Sequence, residues 1–211
     1  PLPAGGVGVD HSTSSAELAR DMAAAAGESG HQFIDAPVSG GQAGAEAGKL
    51  TVMAGGDADA FSRIEPVLQC YAARYRRLGE TGSGQLAKMV NQICIAGLLQ
   101  GLSEAMHFGQ QAGLDMAAVV DVIGAGAAQS WQMDNRAATM LQGEFDFGFA
   151  VDWMRKDLRY VLDEARRQSV SLPVTALVDQ FYAQVQNLGG GRKDTSSLLL
   201  ALQASQAKAQ D

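Results

Sequence analysis

The chain has little of what marks a metal centre, a disulfide framework or a nucleic-acid surface. Its 211 residues hold two cysteines, Cys70 and Cys94, too few for a framework of bridges and without metal-ligand spacing. Three histidines, His11, His31 and His107, form no H-x-x-H or H-E-x-x-H cluster, so no metal site is expected. Basic residues are in the minority: 16 Lys and Arg against 23 Asp and Glu give a formal charge of −7. The densest basic run, Arg74 with Arg76 and Arg77, is short and lies on a candidate strand. Without a basic stripe, nucleic acid is excluded as the expected partner. No apolar run reaches the roughly 20 residues that span a bilayer, and Lys88 and Asn91 interrupt the best candidate, so no membrane is expected either. Together these shortages suit a reducing cytoplasm. The start Pro1-Leu2-Pro3 has neither an initiator methionine nor a signal-peptide pattern, which points to a processed or truncated chain. What remains is a globular composition, 46% hydrophobic and 18% charged, with length for one large domain or two small ones.

The first third alternates strand and helix patterns. Short strands are expected at Val7–Asp10, Gln32–Asp35, Lys49–Ala54 and Ala72–Leu78, with helices at about Ser15–Gly27 and Ala58–Gln69. Between the second and third strands, Val38 to Gly44 reads as a glycine-rich loop. Strands alternating with helices imply a sheet with helices packed on it. From Gly84 onward no strand pattern follows. Gln85 to Gln111 reads as one long helix, roughly 40 Å at 1.5 Å per residue, and further helices are expected near 115–123, 130–142, 152–168, 173–187 and 196–208. The fold class is therefore an α/β remnant of a doubly wound dinucleotide-binding domain, residues 1–80, followed by an all-α domain, residues 81–211, with a long interdomain helix. The α/β part begins in mid-pattern, because no Gly-rich strand-to-helix turn precedes it.

Three segments carry candidate chemistry. Gly79-Glu80-Thr81-Gly82-Ser83-Gly84 feeds a short loop into the long helix, on whose first turns Lys88 and Asn91 stand three residues apart and share a face. A lone helix lysine more often packs its stem and sends its ammonium to water. On a helix that is apolar nearly all round it needs a partner or a task, and burial favours the neutral amine that proton transfer uses. Gly82-Ser83-Gly84-Gln85-Leu86-Ala87 also fits G-x-G-x-x-A, a dinucleotide fingerprint. It is rejected here because its upstream strand is charged and no second strand follows; the glycines fit close backbone approach better. The second segment, Asp35-Ala36-Pro37-Val38-Ser39-Gly40-Gly41, follows a strand's C-terminal end. There the Ser39 hydroxyl and the Gly40 and Gly41 amides could take a carboxylate, although a plain turn explains the glycines as well. The third, Lys156-Asp157-Leu158, lies on a helix where adjacent opposite charges usually mean a solvated face. Asp10-His11-Ser12-Thr13 ends a strand and could touch a cofactor or simply cap a helix. Trp131, Phe145, Phe147 and Phe149 fit core or interface better than a binding box.

In this order the segments resemble the β-hydroxyacid dehydrogenase family, which includes 3-hydroxyisobutyrate dehydrogenase and the tartronate-semialdehyde and glyoxylate reductases. Asp10-His11-Ser12-Thr13 is similar to the family's D-x-S-T segment, and the Asp35–Gly41 run to its substrate signature. Gly79-x-x-Gly82-x-Gly84-x-x-x-Lys88-x-x-Asn91 is similar to its catalytic motif, and Lys156-Asp157-Leu158 to its late cofactor motif. The resemblance implies an NAD(P)-dependent oxidoreductase acting on a small carboxylate substrate. By the same resemblance Lys88 is the general acid/base and Asn91 orients substrate or lysine. Ser39, Gly40 and Gly41 hold the substrate carboxylate, and Thr13 and Lys156 meet the NAD or NADP cofactor. Gln92 stands where many members carry a second asparagine, and the family's G-x-G-x-x-G half is absent, so the chain by itself is expected to be inactive. The rival readings are a silent fragment acting as a helical dimerisation module, and a related reductase of a sugar acid or imine. The apolar long helix leads us to expect a homo-oligomer, dimer or tetramer.

Overall fold

The computed structural model describes residues 3–210; Pro1 and Leu2, on which the reading of a processed start falls, lie outside the described residues. The chain divides into two compact units, Pro1–Asn91 and Gln92–Asp211.

The first unit is a sheet with helices. Its elements are β1 (Val7–Asp10), α1 (Ala16–Glu28), β2 (Gln32–Asp35), β3 (Val38–Ser39), α2 (Gly41–Glu46), β4 (Leu50–Gly55), α3 (Ala58–Leu68), β5 (Ala72–Gly79) and the start of α4 (Ser83–Gln111). β1 runs parallel to β2 and β4 parallel to β5, whereas β2 and β3 both run antiparallel to β4. Asp35 opposes Gly55, Val38 opposes Val52 and Ser39 opposes Thr51, which is one unbroken register. β2 and β3 are thus a single strand line interrupted at Ala36-Pro37, and the Met53 N–H bonds the Pro37 carbonyl at 3.0 Å across the break. The sheet buries Ile34, Ala36, Val52, Ala54 and Ala72 against Phe61, Ile64 and Leu68 of α3. Side-chain caps start the helices: Ser15 accepts from Leu18 N–H at 3.0 Å, and Asp57 from Ala60 N–H at 2.9 Å.

One expectation needs correction here. The segment Val38–Gly44, read as a loop, contains β3 and opens α2. Val38 and Ser39 find partners on β4, and the Ala43, Ala45 and Glu46 that follow favour helix. Gln42 adds a side-chain bond to Glu46 at 2.7 Å, one turn on. The adjacent glycines hid both elements.

The second unit is helical. After the rest of α4 come α5 (Met116–Gly124), α6 (Trp131–Gln142), α7 (Val151–Arg167), α8 (Pro173–Asn187), a 3₁₀ turn (Thr195–Ser197) and α9 (Leu198–Gln210). α4 begins two residues before the expected start and keeps the expected end. Leu99 packs with Met154, Leu158, Val178, Tyr182 and Leu198, while Leu102 and Met106 pack with Met116, Met133, Met140 and Phe145. Asp194, 1% exposed, ties the loop before α7 to the 3₁₀ turn. It accepts from the Phe149 and Ser196 N–H groups and from Arg136 Nε at 3.0 Å each. α4 is not buried all round, because Leu98 and Phe108 are exposed.

Candidate active site

The buried carboxylate of Asp35 organises the first unit's chemistry. It stands at the end of β2, 0% exposed, and reaches the N-terminal end of α4. There Oδ1 accepts from Gly82 N–H at 2.7 Å and Oδ2 from Gln85 N–H at 2.9 Å. These are the unsatisfied donors every helix start presents, and a negative charge suits that end of the helix dipole. Burial pushes the Asp35 carboxyl above the usual carboxylate range, against the pull of these N–H groups, which favour the ionised form. The joint is tight. A Cβ on Gly84 would lie 2.5 Å from the carbonyl oxygens of Asp35 and Met53, and one on Gly55 would lie 2.7 Å from Asp35 Oδ1. The glycines therefore serve close approach. The G-x-G-x-x-A match fails as a phosphate loop for a physical reason: the N–H groups that would meet a phosphate are already held by Asp35.

A second tie joins the same helix to the segment after β1. Gln85 is fully buried; its Oε1 accepts from Ser14 N–H at 2.9 Å and its Nε2 donates to the Ser12 carbonyl at 2.8 Å. Thr13 lies between these two bonds and is half-buried. His11 adds a third tie. Its Nδ1 is 2.6 Å from the Ala36 carbonyl, which can only accept, so Nδ1 carries the hydrogen. In the neutral ring Nε2 then accepts from Tyr71 O–H, at 2.8 Å. Burial first, and the neighbouring Cys70 second, push the Tyr71 phenol above its ordinary value.

The candidate residues of this unit hang from these ties. Ser39 ends β3, four residues past Asp35, and Gly40 and Gly41 take φ of +130° and +59°, which only glycine adopts without strain. Lys88 lies one helical turn past Gln85 and is 7% exposed, and Asn91 follows a turn later, half-buried. Asp35 ties the end of β2, and Gln85 the Thr13 segment, to the opening turns of the helix that carries Lys88 and Asn91. Sequence reading missed Gln85 and the capping role of Asp35. A Gln directly after the glycines was the available signal, but its partners lie more than 70 residues away in sequence.

Lys156 belongs to the second unit. Its ammonium is 3.0 Å from Asp157 Oδ1 and 5.5 Å from the centre of the Tyr160 ring. Asp157 is no solvated charge, being 2% exposed, and its Oδ2 accepts from Gln92 Nε2 at 2.6 Å. A glutamine at position 92 therefore has a buried task in this chain. Lys156 also borders a cavity of about 500 Å³ between α7 and α8, together with Arg155, Arg159 and Asp179. Among the aromatic residues, Phe145 is core, while Trp131 and Phe147 are exposed on either side of Arg136, each ring 5.0 Å from its guanidinium.

Thr13 lies just beyond the carboxyl end of β1, where open α/β sheets bind ligands. Among the described residues no His, Cys, Asp or Glu side chains form a group of three suited to a metal, and no helix among them is long and apolar enough to cross a membrane.

Two family models match the chain. The model of the NAD-binding domain of 6-phosphogluconate dehydrogenase covers residues 1–82, and that of the NAD-binding region of NADP-dependent 3-hydroxyisobutyrate dehydrogenase covers residues 82–202. An uncharacterized oxidoreductase of Shewanella frigidimarina is 59% identical over 206 residues, covering 98% of this chain and 71% of that protein. A probable 3-hydroxyisobutyrate dehydrogenase-like protein of Arabidopsis thaliana, described as mitochondrial, is 41% identical, covering 96% of this chain and 60% of that protein. The crystal structure of a 3-hydroxyisobutyrate dehydrogenase from Salmonella typhimurium superposes with a TM-score of 0.85 at 33% identity. It covers 93% of this chain and 70% of that one. The chain thus spans about two thirds of the length of the proteins it matches.

Proposed function

This chain belongs to the β-hydroxyacid dehydrogenase family, and from that premise we propose that it forms the catalytic part of an NAD(P)-dependent oxidoreductase. The reaction interconverts a small β-hydroxyacid and its semialdehyde or keto acid. Residues 1–80 serve as the second half of the dinucleotide domain, and 81–211 as the substrate and dimerisation domain. The observation that carries the reading is the low exposure of Lys88, on the opening turns of a helix that Asp35 caps and Gln85 ties to the Thr13 segment.

When bound, the nicotinamide gives or takes the hydride. The chain's own residues do the rest. Ser39 and the Gly40 and Gly41 amides receive the substrate carboxylate and fix its orientation. Lys88 passes its proton to the carbonyl oxygen in reduction and takes the hydroxyl proton in oxidation. Asn91, one turn on, orients that oxygen or the amine itself. Thr13 and Lys156 hold the cofactor's nicotinamide end, with Lys156 kept in place by Asp157. Low exposure around Lys88 keeps bulk water from competing for its proton.

The test is turnover by the intact enzyme, with the first half of the dinucleotide domain present. NAD⁺ and NADP⁺ are each paired with 3-hydroxyisobutyrate and glycerate, and NADH and NADPH with glyoxylate and tartronate semialdehyde, with reduced nicotinamide followed by absorbance. Turnover of at least one pair is expected, with a preference for one cofactor. No turnover and no NADH or NADPH binding would leave only the association-module reading.

The exposed Leu98 and Phe108 of α4 support self-association in a homo-oligomer, dimer or tetramer. Light scattering at high concentration should return at least twice the chain mass; a monodisperse monomer would refute this.

A further inference from the structure

The carboxamide of Gln85 closes on the backbone on both sides of Thr13, and none of the roles given above uses it. Both ends of this fully buried group are engaged, Oε1 by Ser14 N–H at 2.9 Å and Nε2 by the Ser12 carbonyl at 2.8 Å. Its main-chain N–H is held by Asp35 Oδ2 at 2.9 Å. A single residue thus touches the segment that carries Thr13 and the buried carboxylate at the end of β2. It lies three residues before Lys88 on a continuous helix, about 4.5 Å along the axis. The site needs one acceptor and one donor at the end of a side chain of this length, which a primary amide offers. A carboxylate meets the Ser12 carbonyl with like charge, and an apolar side chain leaves a donor and an acceptor unpaired in the interior.

We propose that Gln85 is a positioning residue for the reaction, fixing the Thr13 hydroxyl relative to Lys88 so that the hydride and proton transfers act on one bound substrate. The inference rests on the roles given above to Lys88 and Thr13. Gln85 touches neither substrate nor cofactor; it acts through the backbone of residues 12–14. The bonded atoms, Ser14 N–H and the Ser12 carbonyl, flank Thr13 on both sides.

The sharpest test is Gln85→Glu in the holoenzyme, assayed from pH 8 down to pH 5 with the panel substrate that the wild type turns over fastest. The new carboxylate can still accept from Ser14 N–H but cannot donate to the Ser12 carbonyl. Once protonated it can do both. Relative to wild type at each pH, kcat should be down roughly 10–10²-fold at pH 8, the scale of a misplacement near 1 Å, and should recover as the pH falls, with KM changed little. Gln85→Met should show the loss at every pH, together with faster hydrogen exchange at the Ser14 amide. A folded Gln85→Met with kcat within about two-fold of wild type, or a Gln85→Glu loss that does not depend on pH, would overturn the proposal. If Gln85→Met does not fold, the pH recovery of Gln85→Glu decides alone. Full turnover in Lys88→Ala would instead overturn the acid/base reading; unchanged Ser14 exchange in Gln85→Met would then also remove the staple.

Discussion

Lys88→Ala in the holoenzyme should lower turnover by roughly 10²–10⁴-fold, the usual worth of a positioned general acid or base, while cofactor affinity changes little. The loss should fall on kcat and kcat/KM alike, because proton transfer stabilises only the transition state. Lys88→Arg should not restore the rate, because a guanidinium keeps its charge and its proton near neutral pH. A helix lysine that merely packs its stem would behave differently. Alanine would then cost stability without a selective fall in kcat, and arginine would be tolerated. Steady-state kinetics on the two variants, with NADH or NADPH fluorescence titration as the binding control, separates the cases. Wild-type kcat in Lys88→Ala would end the assignment.

Gly84→Ala should have the largest effect on stability. The added Cβ would meet two backbone carbonyl oxygens at 2.5 Å and the Asp35 carboxylate at 2.8 Å, so no rotamer change can relieve it. Either the opening of α4 pulls away from Asp35, leaving the Gly82 and Gln85 N–H groups and a buried carboxylate without partners, or the sheet shifts. Each route costs several kcal/mol, about 4 or more, and the variant is expected to unfold early or not accumulate. Gly101 on the same helix is the control. Nothing lies within 4 Å of a Cβ placed there, so Gly101→Ala should raise stability by about 0.5–1 kcal/mol through helix propensity and a less flexible unfolded chain. Denaturant titrations of the two should move the midpoint in opposite directions. Equal effects would mean that the glycines before α4 have no packing role.

Local pattern carried much of this structure. The apolar helical pattern marked α4 almost to its ends, expected from Gln85 to Gln111 and found from Ser83 to Gln111, and the capping residues Asp57, Asp115 and Ser130 stood where helices began. The same local reading failed at Val38–Gly44. Two glycines in succession look like a turn, while the partners that make Val38 and Ser39 a strand come from β4, beyond the next helix. Lys88 and Asn91 were legible as a pair because helical spacing puts them on one face. What places them was not legible. The Asp35 cap spans 47 residues to Gly82 and the Gln85 staple 71 to Ser14, and separations of that length leave no trace in local periodicity. Asp157 shows the opposite error. Beside Lys156 it looked like surface charge, yet Gln92, distant in sequence, holds it in the interior.

The two margins of the sheet differ in how they guard against unwanted neighbours. β5, paired only with β4 among the described strands, carries Arg74 and Arg76, both exposed. Such cations along a border discourage another chain from docking main chain to main chain. β1, paired only with β2 among the described strands, offers Val7, Gly8 and Val9 instead, half-covered and uncharged. As the second half of a dinucleotide domain, residues 1–80 would turn this uncharged border, not the arginine-bearing one, toward the strands of the first half.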